Sequence, residues 1–427
     1  MNKELIAAIA IFILAFGLIS RRLEKSVITP PMAYVTFGLL ISSTVLGLTK
    51  DIKITNEIIR TLAEITLAVV LFTDAARIQL KLLRQEYKLP LRLLGIGLPL
   101  TIVFGTIFAL LLFSNQLNIW EAAALATILA PTDAALGQAV VNSSRVPVSI
   151  RQAINVESGL NDGICLPILL LFISLAGESE QINTASYWLT FSSKQIIFGT
   201  IIGIALGYFG SKLISKSIRR KWMNDSFEDL SVLGLSILAY TSAELIGGNG
   251  FIAAFCAGLT LGRIAKKSVL RQLYEFGEAE AQLLTLISFL LFGAVMIFPT
   301  LSETTWQMWL YAICSLTVAR MLGVAISTIG LKLQLDTILF VGWFGPRGIA
   351  SIVYGLLIVD KENLQGSEFI FSTMVVTVLI GVFAHGLTAF PGANWYANRI
   401  SDKEDIHDQM PEMLPVEEMP VRLPWKS

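Results

Sequence analysis

Eight ionisable residues, Glu64, Asp74, Asp133, Glu157, Asp162, Glu244, Arg320 and Arg347, lie inside long apolar runs of this 427-residue chain. Placing one charge in the middle of such a run within a bilayer costs about 2.5–3.5 kcal/mol, so each is read by default as serving function. Six acids against two bases leave an acidic excess that attracts cations, protons included. Desolvation favours the protonated form of a carboxylate, whereas a bound cation favours the ionised form. Proton and small cation therefore compete for one group. A site of this kind, open to one side at a time, exchanges them with no covalent step.

Three segments concentrate the chemistry. In Glu157-Ser158-Gly159-Leu160-Asn161-Asp162, Ser158 and Asp162 share one helix face and Glu157 and Asn161 share another, while the two acids stand about 140° apart. Asp162 is expected to face a cavity and Glu157 to turn into the bundle, where Arg320 is the natural partner at the same depth. The other two segments are Ala130-Pro131-Thr132-Asp133 and Gly345-Pro346-Arg347-Gly348, in which each proline removes a backbone donor and interrupts a helix. Asp133 either reaches an ion or caps the second half of its own broken helix. Arg347 either balances the site charge or steadies the crossing of the two broken helices. Glu244 and His385, the sole histidine within an apolar run, are read as structural.

The elements that must hold these residues follow from composition. With 54% apolar and 15% charged residues and a mean hydropathy of +0.68, the chain falls well below the roughly 25% charged content of soluble domains. That excludes an ordinary soluble enzyme and a nucleic-acid binder. Runs long enough to cross a bilayer lie near 4–20, 31–47, 58–79, 90–114, 120–141, 150–176, 187–213, 228–247, 250–264, 280–298, 307–333, 337–358 and 368–390, thirteen in all. Eighteen Lys and Arg residues follow odd-numbered spans, against Lys50, Lys53 and Lys361 after even-numbered ones. Basic residues mark cytoplasmic loops, so the N-terminus is expected outside and the C-terminus inside.

Asp133, Asp162, Arg320 and Arg347 all fall near the middle of their spans, which places them at one depth. The interrupted spans are the fifth and the twelfth. An offset of seven inverts orientation, and interrupted helices in corresponding positions of inverted halves point to a transporter site. Cys165, Cys256 and Cys314 sit in apolar runs and read as core residues. Arg21 and Arg22 follow the first run instead of preceding it, so that run is taken as a retained helix and not a signal peptide. Residues 1–391 form the membrane domain, and 392–427 are expected to be a short, flexible cytoplasmic tail. With two histidines and no His-Glu-x-x-His pattern, a membrane-embedded zinc hydrolase is excluded.

Thr132-Asp133 on a broken fifth span, Glu157-x-x-x-Asn161-Asp162 on the sixth, Arg320 in the eleventh and Gly-Pro-Arg-Gly in the twelfth together resemble the sodium/proton antiporters of the NhaP type. The resemblance implies an all-α polytopic fold of two inverted six-helix repeats with spans 5 and 12 crossed. It implies a homodimer in which spans 1–3 and 8–10 form the scaffold, spans 4–6 and 11–13 the transport core, and span 7 the connector. It makes Asp162 the carrier shared by cation and proton, with Asp133, Thr132 and Ser158 around a sodium ion, Arg320 paired to Glu157, and Asp74, with Glu64 as the alternative, as a further acid near the ion path. Asn161 ahead of Asp162 implies electroneutral one-for-one exchange. No cofactor is implied; the partners are a monovalent cation, a proton and the lipid bilayer of a plasma membrane. A potassium/proton antiporter of the same fold is the nearest alternative, and a passive cation channel a more distant one.

Overall fold

The structure, a computed structural model, describes residues 3–23, 26–50, 57–78, 88–133, 136–177, 185–265, 281–359, 364–401 and 410–413. Of the basic loop residues counted above, Lys25, Lys53, Lys81, Arg84, Lys266, Lys267, Arg271 and Lys361 lie outside them, as do 402–409 and 414–427 of the tail. Lipid offers no hydrogen bonds to a backbone, so a chain this apolar must close its own within helices. Among the described residues, helix occupies each of the thirteen apolar runs. These are α1 (Lys3–Leu23), α2 (Pro30–Ile41), α3 (Glu57–Arg77), α4 (Lys88–Leu112), α5 (Ile119–Ile128), α6 (Gln138–Val141), α7 (Val148–Ala176) and α8 (Ala185–Arg219). The second half continues with α9 (Asp225–Leu245), α10 (Gly250–Ile264), α11 (Ala281–Leu301), α12 (Trp306–Ser327), α13 (Leu335–Trp343), α14 (Ile349–Val359) and α15 (Ser367–Ser401). The fifth run is divided into α5 and α6, and the twelfth into α13 and α14.

Several boundaries differ from those read in the sequence. The second run does not stay helical to 47: α2 stops at Ile41, where Ser42, Ser43 and Thr44 offer the backbone local alternatives, and Gly47 at φ 69° closes the turn by donating to the Ser42 carbonyl. The eleventh run ends at Ser327, three residues before Gly330 at φ 85°. The largest difference is at the C-terminal end. Helix α15 passes Pro391 and runs to Ser401, because Ala393, Tyr396, Ala397 and Ile400 bury one of its faces. Beyond it, Met410 and Glu412 are 2% and 1% exposed and Pro411–Met413 form a single tight turn. The described part of the tail is therefore a docked element and not a flexible end.

Small residues set the closest helix approaches, as expected where lipid removes the hydrophobic incentive to associate. Gly199, Gly203 and Gly207 of α8 lie on Asn249, Ala253 and Ala257 of α10, and Gly258 and Gly262 of α10 lie on the Phe72 and Ala76 carbonyls of α3. Gly97 of α4 meets Gly323 of α12. A π-helical turn widens α4 at Leu93–Gly97 and α12 at Ser315–Ala319, and a third lies in α11 at Phe292–Met296. Of these approaches, the one between Gly97 and Gly323 joins α4 to α12, the helices that precede the two interrupted ones.

Candidate ion site

Helix α5 starts in a capping box, in which the Asn118 side chain accepts from the Trp120 and Glu121 amides and the Glu121 carboxylate accepts from the Asn118 amide. The same buried carboxylate accepts from the Gly366 amide at 2.9 Å, tying the start of α5 to the start of α15. At the other end, α5 stops at Ile128, and the chain turns at Leu129 and Ala130 and continues without regular structure through Pro131 to Asp133. Here it crosses the linker between α13 and α14. The Asp133 amide donates to the Pro346 carbonyl at 2.8 Å, and Ser351 Oγ donates to the Ile128 carbonyl at 2.7 Å.

The two breaks cap one another. A helix start leaves amides without partners and carries partial positive charge, and a helix end the reverse. The Ile349 amide at the start of α14 donates to Asp133 Oδ2 at 3.1 Å. Arg347 Nη1 donates to the Ala130 and Pro131 carbonyls just beyond the end of α5, at 3.0 and 3.3 Å. Asp133 thus caps the second half of the opposite broken helix. Both glycines of Gly345-Pro346-Arg347-Gly348 are dictated by this closeness: a Cβ on Gly345 would lie 2.6 Å from Arg320 Nε, and one on Gly348 would lie 1.8 Å from Asp133 Oδ2.

Helix α7 lays its polar turn against the crossing. Ser158 Oγ donates to the Thr132 carbonyl at 2.5 Å, Asn161 Nδ2 donates to Thr132 Oγ1 at 2.7 Å, and Tyr354 of α14 donates its hydroxyl to the Asp162 carbonyl at 2.5 Å. Asp162 is 6% exposed and so buried in this state. On the adjacent face, both nitrogens of the Arg320 fork donate to Glu157, Nη2 to Oε2 at 2.8 Å, with both side chains 1% exposed. Asp74 of α3 reaches the same turn of α7, since a Cβ on Gly159 would be 3.6 Å from Asp74 Cβ.

The remaining intramembrane groups are engaged elsewhere. Glu64 accepts from Arg60 Nε at 2.8 Å and from the Tyr240 hydroxyl at 3.0 Å, linking α3 to α9. Glu244 accepts from the Gly250 amide at 2.7 Å and so caps α10. His385 Nδ1 lies 3.0 Å from the Gly381 carbonyl in its own helix. Among the described residues there is no cluster of three or more His, Cys, Asp or Glu side chains able to hold a metal. The groups gathered beside Asp162 are hydroxyl and carbonyl oxygens, a hard donor set of the kind that suits alkali and alkaline-earth ions. Ser351, Tyr354 and Glu121 went unread in the sequence. Ser351 and Tyr354 carried a signal, being polar and three apart in an otherwise apolar run.

A bundle of apolar helices in which two interrupted helices cross beside a buried carboxylate is the architecture of a secondary ion transporter. The family described as "Sodium/hydrogen exchanger, transmembrane" matches residues 7–395, and the chain belongs to it. Members of this family are cation/proton antiporters, transporters and not enzymes, and the chain is an integral, multi-pass membrane protein. It is 26% identical over 326 residues to a probable Na+/H+ antiporter of Schizosaccharomyces pombe, covering 72% of this chain and 42% of that one. It is 25% identical over 291 residues to the K+/H+ antiporter NhaP of Alkalimonas amylolytica, covering 67% and 49%. The chain thus spans about half the length of these curated relatives. A solved sodium/proton antiporter of Methanocaldococcus jannaschii shares the fold with a TM-score of 0.74 at 22% identity, over 92% of this chain and 99% of that one.

Proposed function

We propose that this protein exchanges Na+ or Li+ for H+ by alternating access, one for one, with Asp162 as the group that cation and proton share. The observation that carries this reading is the meeting of the Ser158–Asp162 turn with the Thr132 carbonyl and hydroxyl at the crossing. Thr132, Ser158 and Asp162 supply oxygens to the ion. Asn161 holds Thr132 in place, and Asp74 lines the approach from α3. Asp133 and Arg347 act by fixing the crossing, and Asp133 shares in the ion's field. Glu157 and Arg320 cancel each other's charge, which leaves the exchangeable charge to Asp162. One cation or one proton then neutralises the loaded carrier equally, and this supports electroneutral exchange.

In this reading α4–α7 and α12–α15 move as the transport core. Helices α1–α3 and α9–α11 form the scaffold of a homodimer, and α8 connects the two bodies. The distribution of Lys and Arg supports an outside N-terminus and a cytoplasmic C-terminus, and the plasma membrane is where this exchange is proposed to act. The resemblance to a relative named as a K+/H+ antiporter supports potassium as the second reading. Proteoliposomes with an imposed pH gradient separate the two: sodium or lithium should dissipate the gradient at lower concentration than potassium, and the Asp162→Asn variant should dissipate it with none of them. Exchange that survives in Asp162→Asn would overturn the carrier assignment. Proton-independent, electrogenic flux would turn the reading to a channel.

A further inference from the structure

Glu412 sits in the short turn Pro411–Met413, beyond the helices that define the family's fold, yet it is 1% exposed. Its Oε1 accepts from the Gln334 amide at 3.1 Å and from Thr337 Oγ1 at 2.8 Å. Thr337 Oγ1 in turn lies 2.9 Å from the Tyr396 hydroxyl of α15. The Glu412 carbonyl accepts from Ser149 Oγ, in the first turn of α7, at 2.6 Å. Met410 beside it is buried among Val146, Ile150, Phe340 and Ile400. One turn of chain therefore binds the first turns of α7 and α13 directly and reaches Tyr396 of α15 through Thr337.

The contact with α13 has a direct reason. Gln334 stands at the N-cap of α13 and provides no side-chain cap of its own, so the orphan amide is met by a carboxylate from elsewhere, where the helix dipole favours negative charge. Helix α13 is nine residues long and leads straight into Gly345-Pro346-Arg347. A helix this short has little stability of its own, and its far end must hold the crossing to the short distances given above. Resting on the exchange reading of the site, we propose that Glu412 is a positioning residue: it anchors α13 against α7 and so sets the geometry of the crossing from outside the membrane domain.

Two readouts on the full-length chain in proteoliposomes test this. Glu412→Ala should speed hydrogen exchange of the amides across 334–343 at least tenfold and raise the half-saturating cation concentration about fivefold. Glu412→Gln, which keeps the accepting oxygen, should return both to within twofold of the native protein. Thr337→Val serves as a second variant should Glu412→Ala not fold, and should move hydrogen exchange in the same direction. Unchanged hydrogen exchange in Glu412→Ala and Thr337→Val would overturn the anchor. Faster hydrogen exchange with an unchanged half-saturating concentration, or with no recovery in Glu412→Gln, would overturn the positioning role. If the native protein exchanges no cation, the functional reading and the positioning role fail together, while hydrogen exchange still decides whether the anchor exists.

Discussion

Replacing Gly348 by alanine tests the crossing at its tightest point. The added Cβ would meet Asp133 Oδ2 at 1.8 Å and Asp133 Cβ at 2.4 Å, where ordinary contact begins near 3.4 Å. Asp133 must then withdraw by about 1.6 Å, which breaks its bond to the Ile349 amide. Loss of this part-buried bond to a charged group costs about 1.5–3 kcal/mol, and overpacking the surrounding helices adds about 1–3 kcal/mol. Gly348→Ala should therefore destabilise the protein by about 2.5–6 kcal/mol in a reversible detergent titration. Since the damage is a collision with one side chain, removing that side chain relieves it. The double variant Gly348→Ala, Asp133→Gly should be less destabilised than the sum of the singles by at least about 1.5 kcal/mol. Contacting residues couple on this scale, whereas independent sites add to within about 0.3–0.5 kcal/mol. Additivity at that level would refute the argument that Gly348 exists to admit the Asp133 carboxylate.

Two further variants probe α7. Arg320→Met leaves Glu157 buried and unpaired and should cost about 3–5 kcal/mol, whereas Glu157→Leu with Arg320→Met should cost less than either single change in the same titration. Equal losses in single and double variants would mean that the pair is not a closed unit. Tyr354→Phe removes the bond to the Asp162 carbonyl, worth about 1 kcal/mol, and should raise the half-saturating cation concentration about fivefold. An unchanged value would show that Tyr354 does not hold the carrier turn.

Helix type and helix breaks are written locally, which is why the apolar runs, Pro131 and Pro346 disclose an all-helical membrane fold with two interruptions. The polar residues of the site are equally visible, because any charge in an apolar run stands out. What a local reading cannot provide is the partner. The choice for Asp133 lay between an ion and its own helix, yet its carboxylate caps α14, whose first amide is 216 positions away. Backbone groups at the crossing, such as the Thr132 and Pro346 carbonyls, have no residue type to announce them. Glu412 fails for a different reason. In a stretch rich in charge, proline and methionine it has no periodic context, and its burial depends wholly on the pocket made by Ser149, Gln334 and Thr337.

The reciprocal caps also impose an order on biosynthesis. Arg347 is made 217 positions after the Ala130 carbonyl it serves, and Arg320 comes 163 after Glu157. At about 5–20 residues per second, the first half waits on the order of 10–40 s in the membrane before its partners are made. During that interval the Asp133 carboxylate is without the Ile349 amide and Glu157 is without the Arg320 guanidinium. A chain truncated before 320 would enter the membrane with Glu157 and Asp133 both lacking these distant partners.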